Sequence, residues 1–273
     1  MPFATAQSGV FAANRAAGRI ALSVGADRGA TRRRRVYEDG PLRVRFPNAD
    51  AAALEAVIVN TAGGMTGGDR HAFDIAVGKG ANLVVTTAAA EKVYRSLGPD
   101  AEIDVTLSVG AGGTLSWLPQ ETILFDRSRL RRRIDVGLDD GASLLIAEAL
   151  VFGRSAMGEA VEEGSFSDRW RVRRGGRLLL AETIRLDGMI SSTLAEAAVT
   201  AGGVAVATVL LVPGDDATVG RVRAIEGFAG EVGISAWNGL AVARLCAKDG
   251  AALRRDLTAV LQALAAPLPR IWH

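Results

Sequence analysis

Leu144-Leu145-Ile146-Ala147-Glu148-Ala149-Leu150-Val151-Phe152 follows the turn signal Asp140-Gly141 and is apolar at every position except Glu148. A run this short, β-branched in part and bounded by turn residues, reads as a strand rather than a helix. Segments of the same kind surround it: Leu42–Phe46, Leu54–Asn60, Phe73–Val77, Leu83–Thr87, Ile103–Val109 and Thr114–Leu118 before it, with Arg133–Val136 immediately upstream. Asp168–Val172, Leu178–Leu186 and Val204–Val212 follow, and Gly175-Gly176 is a further turn signal. The stretch Ser143–Phe152 therefore belongs to a mainly β section, and strands at this spacing suggest a sandwich, barrel or solenoid. No repeat of 20–50 residues is visible, so periodicity does not argue for a solenoid.

The last quarter changes character. Asp215–Phe228 carries Val219, Val222 and Ile225 at helical spacing behind an Asp-rich start, with acids at the positive end of the predicted helix. Ala251–Leu264 places Leu253, Leu257, Val260, Leu261 and Leu264 on one stripe, with Pro267 as its stop. Between them, Ile234–Ala247 reads as strand with a turn at Asn238-Gly239. The expectation is one domain over 1–273, β-rich over about 20–212, with a strand–helix–strand–helix section over about 213–273.

The chain has 273 residues, 49% of them hydrophobic and 23% charged, which excludes disorder and leaves ample material for a core. Lys and Arg number 32 against 30 Asp and Glu, a balance that speaks against a nucleic-acid binder. The single cysteine, Cys246, cannot form an intramolecular disulfide. The N-terminal stretch is interrupted by Arg15 and Arg19, and no run of roughly 18 apolar residues occurs anywhere. These features predict a soluble protein of a reducing compartment. With only His71, His273 and Cys246 as nitrogen or sulfur donors, a tight transition-metal site or a His-dependent hydrolase starts from a poor inventory.

Asn60-Thr61-Ala62-Gly63-Gly64-Met65-Thr66-Gly67-Gly68-Asp69 is the sharpest local feature. Its glycines permit close packing and positive φ. A phosphate cradle fails on chemistry, because Asp69 follows where a Walker loop needs Lys and Ser/Thr, and a strand rather than a helix comes next. What remains is a shaped loop presenting Asp69, or a tight turn between strands.

Three further carboxylates lie in apolar surroundings: Glu91 after Ala88-Ala89-Ala90, Glu148 in the opening stretch, and Glu182 in Leu178-Leu179-Leu180-Ala181-Glu182-Thr183-Ile184. A lone buried carboxylate costs several kcal/mol. These acids therefore either pair with arginines or line a wet cavity. Oxygen donors without His or Cys hold divalent ions loosely, which suits passage better than storage.

Arginines cluster at Arg32–Arg35, at Arg127, Arg129 and Arg131–Arg133, and over Arg169–Arg177. On strands, alternate residues of such runs point outward, as solvated faces or partner contacts. Glu91, Lys92 and Tyr94 together suggest a weaker alternative, an acid–base set in a β-rich cleft. The segment Pro267-Leu268-Pro269-Arg270-Ile271-Trp272-His273 is suited to docking, either on its own chain or on a partner.

Seven blocks stand in order: NTAGGMTGGD (60–69), TTAAAEKVYRS (Thr86–Ser96), WLPQETILFD (Trp117–Asp126), EALVFGRSAMGE (Glu148–Glu159), DRWRV (Asp168–Val172), SAWNGLAVARL (Ser235–Leu245) and LPRIW (Leu268–Trp272). Together they resemble the UreD family of urease accessory proteins, called UreH in some organisms. The resemblance covers nearly the whole chain beyond its first ~20 residues. One departure is Ala88, where many relatives carry Gln. The resemblance implies layered sheets resembling a β-helix, with two or more helices in the C-terminal section. It implies a non-catalytic, cytoplasmic maturation scaffold that binds apo-urease and UreF, and through UreF the GTPase UreG. It also implies passage of Ni(II) in transit through a water-filled internal tunnel, with no tightly bound cofactor. Carried over by motif, the tunnel acids fall on Asp69, Glu91, Glu148 and Glu182. A chaperone that binds apo-urease without touching nickel is the alternative.

Overall fold

In a computed structural model, the chain is described over residues 15–47, 53–154, 157–264 and 268–272. His273 and Pro267 lie outside these residues. The strands are β1 (Ala17–Asp27), β2 (Ala30–Asp39), β3 (Leu42–Arg45), β4 (Leu54–Asn60), β5 (Arg70–Val77), β6 (Asn82–Thr87), β7 (Glu91–Val93), β8 (Ala101–Val109) and β9 (Thr114–Leu118). They continue as β10 (Thr122–Leu124), β11 (Arg129–Leu138), β12 (Ser143–Phe152), β13 (Glu163–Arg174), β14 (Arg177–Met189), β15 (Ala205–Val212), β16 (Glu231–Trp237) and β17 (Leu240–Ala247). The helices are α1 (Ile190–Ala195), α2 (Asp216–Arg223) and α3 (Gly250–Leu264).

Two sheets face each other. One has the order β14-β13-β11-β8-β5-β1-β2, the other runs β16-β17-β15-β12-β9-β6-β4-β3 with β7 and β10 attached beside β12. From β4 to β13 the main strands alternate between the sheets, so neighbours within a sheet are one winding apart and run parallel. This winding gives the layered, β-helix-like form expected from the resemblance, with the helices near the C-terminus. Three turns stack at one end of it, tied by Gly80 N–H to Ala111 O and Gly112 N–H to Asp140 O. Gly80, Gly112 and Gly141 each take φ of 63–69°, a left-handed conformation that only glycine adopts cheaply. The repeated Gly at turn spacing is the sequence trace of that stack.

The stretch Ser143–Phe152 is central because both its faces are covered. Leu144, Ile146, Leu150 and Phe152 join the core between the sheets, whereas Leu145, Ala147 and Ala149 join a second core under α2 and α3. That double burial explains an apolar run without alternation. In α3, Leu253, Leu257 and Leu261 are fully buried on the outer face of the second sheet, each contributing ~1.5–3 kcal/mol. Asp215 caps α2 through the Thr218 N–H at 2.8 Å, and the helix ends at Arg223, short of the expected Phe228, with Ala224 as its C-cap. Ile234–Ala247 is a hairpin, and β1, β2, β7, β10 and α1 are additions to the sequence reading.

On the outer face of the first sheet, Arg129, Arg131 and Arg133 meet Asp100, Glu102 and Asp104, and Arg169 meets Asp135. These are surface pairs, worth little individually. Arg32–Arg35 stand on β2, an edge strand exposed on both faces. Trp272 docks on its own chain, donating to Leu118 O at 3.1 Å with Arg254 over its ring at 4.2 Å.

Candidate functional site: a polar row between the sheets

The period-2 alternation of the strands sends one residue in two into the interior. At one level of the first sheet, His71 on β5, Ile103 on β8, Arg132 on β11 and Asp168 on β13 stand opposite one another in register. The facing row of the second sheet holds Glu148 on β12, Thr208 on β15 and Arg244 on β17. A polar layer thus crosses a core that is otherwise Leu, Ile, Val and Phe.

Its centre is a buried triad. Arg132, 2% exposed, binds Glu148 Oε2 through Nη1 in a short contact and Asp168 Oδ2 through Nη2 at 2.6 Å. Trp117 Nε1–H donates to Glu148 Oε1 at 2.8 Å. One guanidinium serves two carboxylates. Burial pushes the Glu148 carboxyl up, Arg132 opposes that shift and the Asp168 charge adds to it. Burial works against the Arg132 charge, but Asp168 and Glu148 outweigh it and its proton is held more tightly than usual.

At one end, Glu182 on β14 accepts from Arg244 Nη1 and Nη2 at 2.6 and 2.9 Å. Thr208 and Arg244 line a cavity of about 460 Å³ that opens between the sheets. At the other end, Asn60 Nδ2 donates to both Glu91 oxygens at 3.1 Å, and His71 Nδ1 lies 3.9 Å from Glu91 Oε2. Burial pushes the Glu91 carboxyl up, against the Asn60 hydrogen bond, and drives His71 down to about 4, against the pull of Asp69. Glu91 lines a cavity of about 130 Å³ with Asn60, Gly63, Gly64 and Phe73. Phe73 and Trp117, 5.8 Å apart, stand between this end and the triad.

Asp69 is buried and closes the glycine-rich loop on itself: Thr66 N–H donates to Oδ2 and Ala16 N–H to Oδ1, both at 2.8 Å. Gly64, at φ 148°, leaves room for the Tyr94 ring and the Lys92 carbonyl, which an added Cβ would meet at 2.4 and 2.8 Å. The loop is thus a tight inter-strand connection, and its Gly63 and Gly64 also line the smaller cavity. Glu91, Lys92 and Tyr94 do not converge. Glu91 faces inward, Lys92 is exposed, and the Tyr94 hydroxyl donates to Gly63 O.

The four acids singled out in the sequence therefore occupy separate stations. Glu148 and Glu182 have arginine partners, and Glu91 and Asp69 sit near His71. Within the Arg131–Arg133 cluster, Arg132 points inward while its neighbours point out, in keeping with the alternation expected on a strand. A run of three arginines on a strand carries that signal, since the middle one must face opposite to the others. The acid that completes the triad, Asp168, and the facing Thr208 and Arg244 left no comparable trace.

Among the described residues, no group of three or more His, Cys, Asp or Glu side chains is arranged to hold a metal ion, and no helix is long and apolar enough to cross a membrane. The class of protein is given by comparison with known proteins. The model of the UreD urease accessory protein family matches residues 16–273. The urease accessory protein UreD of Bradyrhizobium diazoefficiens is 58% identical over 266 residues, covering 97% of this chain and 96% of the relative. That of Rhodopseudomonas palustris strain BisA53 is 57% identical over 267 residues, covering 97% and 93%. The chain belongs to the UreD family, and is a urease maturation factor and not an enzyme. The acid–base reading of Glu91, Lys92 and Tyr94 is thereby set aside.

Proposed function

We propose that this chain is a cytoplasmic scaffold that binds apo-urease and UreF, meets UreG through UreF, and passes Ni(II) from UreG toward the urease active site along the interior acids Asp69, Glu91, Glu148 and Glu182. The observation that carries this reading is the buried polar row with a cavity at either end, beside Glu91 and beside Thr208 and Arg244. Hard oxygen donors with retained water release a divalent cation more readily than thiolate or imidazole cages. Passage at Glu148 and Glu182 then requires the cation to take the place of Arg132 and Arg244, one positive partner for another. No tightly bound cofactor enters this scheme, and the GTPase step lies in another chain.

One observation favours a second reading, a chaperone that holds apo-urease without conducting nickel: both oxygens of Glu148 and of Glu182 are already engaged. Glu182→Ala and Asp69→Ala separate the two. Conduction predicts lower urease activation with intact pull-down of UreF and apo-urease, and unchanged activation would leave only the chaperone.

A further inference from the structure

The two edges of the first sheet differ in charge. Arg32, Arg33, Arg34 and Arg35 stand side by side on β2, all exposed, and the exposed Val36 and Tyr37 follow them. Between residues 27 and 37 the chain carries five arginines against one aspartate, although the net charge of the whole chain is only +2. Arg33 lies over the Phe46 ring at 4.7 Å, and Arg34 Nη2 donates to Ala26 O at 3.3 Å. Among the described residues, none of the four forms an ion pair with a carboxylate. Like charges held this close repel one another.

The same sheet shows how such a strand is neutralised. On β11, Arg131 and Arg133 stand in register with Glu102 and Asp104 of β8 and pair with them, and Arg129 meets Asp100 at 2.8 Å. A basic strand there lies against an acidic one, the favourable cross-strand arrangement. β2 lacks that neighbour. Its one ladder partner, β1, sets Gly25, Val24 and Ser23 opposite Arg32, Arg33 and Arg35, and its other side is the edge of the sheet. The register shift leaves Arg34 as a bulge and puts Arg32 and Arg35 on one face, the outward face shared with Ser23 and Gly25. Charges and a bulge are common guards against unwanted strand pairing. Guarding alone does not account for the asymmetry, because β14, the opposite edge, is longer at 13 residues and mixes arginines with acids. An all-basic edge rejects neutral and basic strands and admits an acidic one, so repulsion and attraction act together.

We propose that β2 accepts an extended acidic segment of a partner protein as an added strand, with Asp or Glu at alternate positions set against Arg32 and Arg35. An edge strand offers backbone donors and acceptors in alternation, which a polypeptide satisfies and a phosphate backbone or lipid surface, having acceptors only, does not. Val36 and Tyr37 add apolar and aromatic contact beside the arginines, the combination enriched at interfaces. The residues outside the described ones hold a single acidic side chain, Asp50, so this chain does not supply the strand itself. The inference goes beyond nickel passage and stands or falls without it.

The test uses the full chain at low salt and four probes of similar length or charge. They are an alternating Thr-Glu peptide of about ten residues, matching the length of β2, the same residues arranged in two blocks, a short single-stranded RNA, and vesicles containing phosphatidylserine. The alternating peptide is expected to bind at least about tenfold more tightly than the block peptide and to slow amide exchange over Ala30–Asp39. Arg32→Gln combined with Arg35→Gln is expected to weaken its binding at least about fivefold with the thermal melt unchanged. Arg177→Gln combined with Arg255→Gln, which removes the same charge elsewhere on the surface, is expected to change it by less than about twofold. Equal binding of the two peptides, or binding without slowed exchange on β2, would make the run a diffuse cationic patch and overturn the proposal. Tighter binding of the RNA or the vesicles, or no binding of the alternating peptide, overturns it as well.

Discussion

Replacing Arg132 by Met removes the only cation of the buried triad. Glu148 and Asp168, 5% and 3% exposed, then face each other as two buried carboxylates without a counter-ion. Breaking a buried pair by deleting one partner costs ~3–5 kcal/mol. At about 2 °C per kcal/mol for a chain of this size, the melting temperature should fall by ~6–10 °C. The loss should be smaller at mildly acidic pH, because one carboxyl takes a proton and relieves the repulsion. Combining Arg132→Met with Glu148→Gln and Asp168→Leu removes all three charges and keeps an acceptor for the Trp117 N–H, so most of the loss should be recovered. Thermal denaturation followed by circular dichroism at neutral and acidic pH reads each of these. A melt of the single variant within a degree of the parent, or a triple variant no better than the single one, would refute the assignment of Arg132 as the counter-ion that makes the interior acids tolerable.

Two other outcomes follow from the geometry. Trp272→Ala removes a buried ring together with its bonds to Leu118 and Thr86 and its stacking on Arg254, and should cost ~3–5 kcal/mol, read as a lower urea midpoint at unchanged slope. His71 titrates at about 4 in the fold against 6.5 when free, so between these values the unfolded chain binds a proton that the fold refuses. Stability should therefore decline as pH falls from about 6.5 to about 4, by ~3 kcal/mol from this group, and the difference between parent and His71→Phe melts should vanish into a flat line if His71 is not buried neutral. Glu91, shifted upward by burial, works in the opposite sense, and the difference curve isolates the histidine.

The succession of strands was legible in the chain because period-2 alternation and turn glycines are local properties. Thr114–Leu118 and Ser143–Phe152 match their strands end for end. Three of the four strands that were missed have local reasons, whereas β1 alternates as plainly as its neighbours. β2 is an exposed edge rich in arginine, and β7 and β10 are three residues each, too short for a pattern to show. Asp69, Glu91, Glu148 and Glu182 stood out because a carboxylate in an apolar run is anomalous wherever it falls.

Their partners did not stand out. Arg132 belongs to Glu148 only because the winding sets β11 across from β12, and Arg244 meets Glu182 across 62 residues of chain. Residue type and spacing, being carried by the backbone itself, determined the strand-rich class, the C-terminal helices and the acids that need an explanation, and left sandwich, barrel and solenoid open. Which charge neutralises which, which imidazole is left without a partner, and where the cavities lie are relations between strands distant in sequence, set by register and sheet facing, and only the folded arrangement decided them.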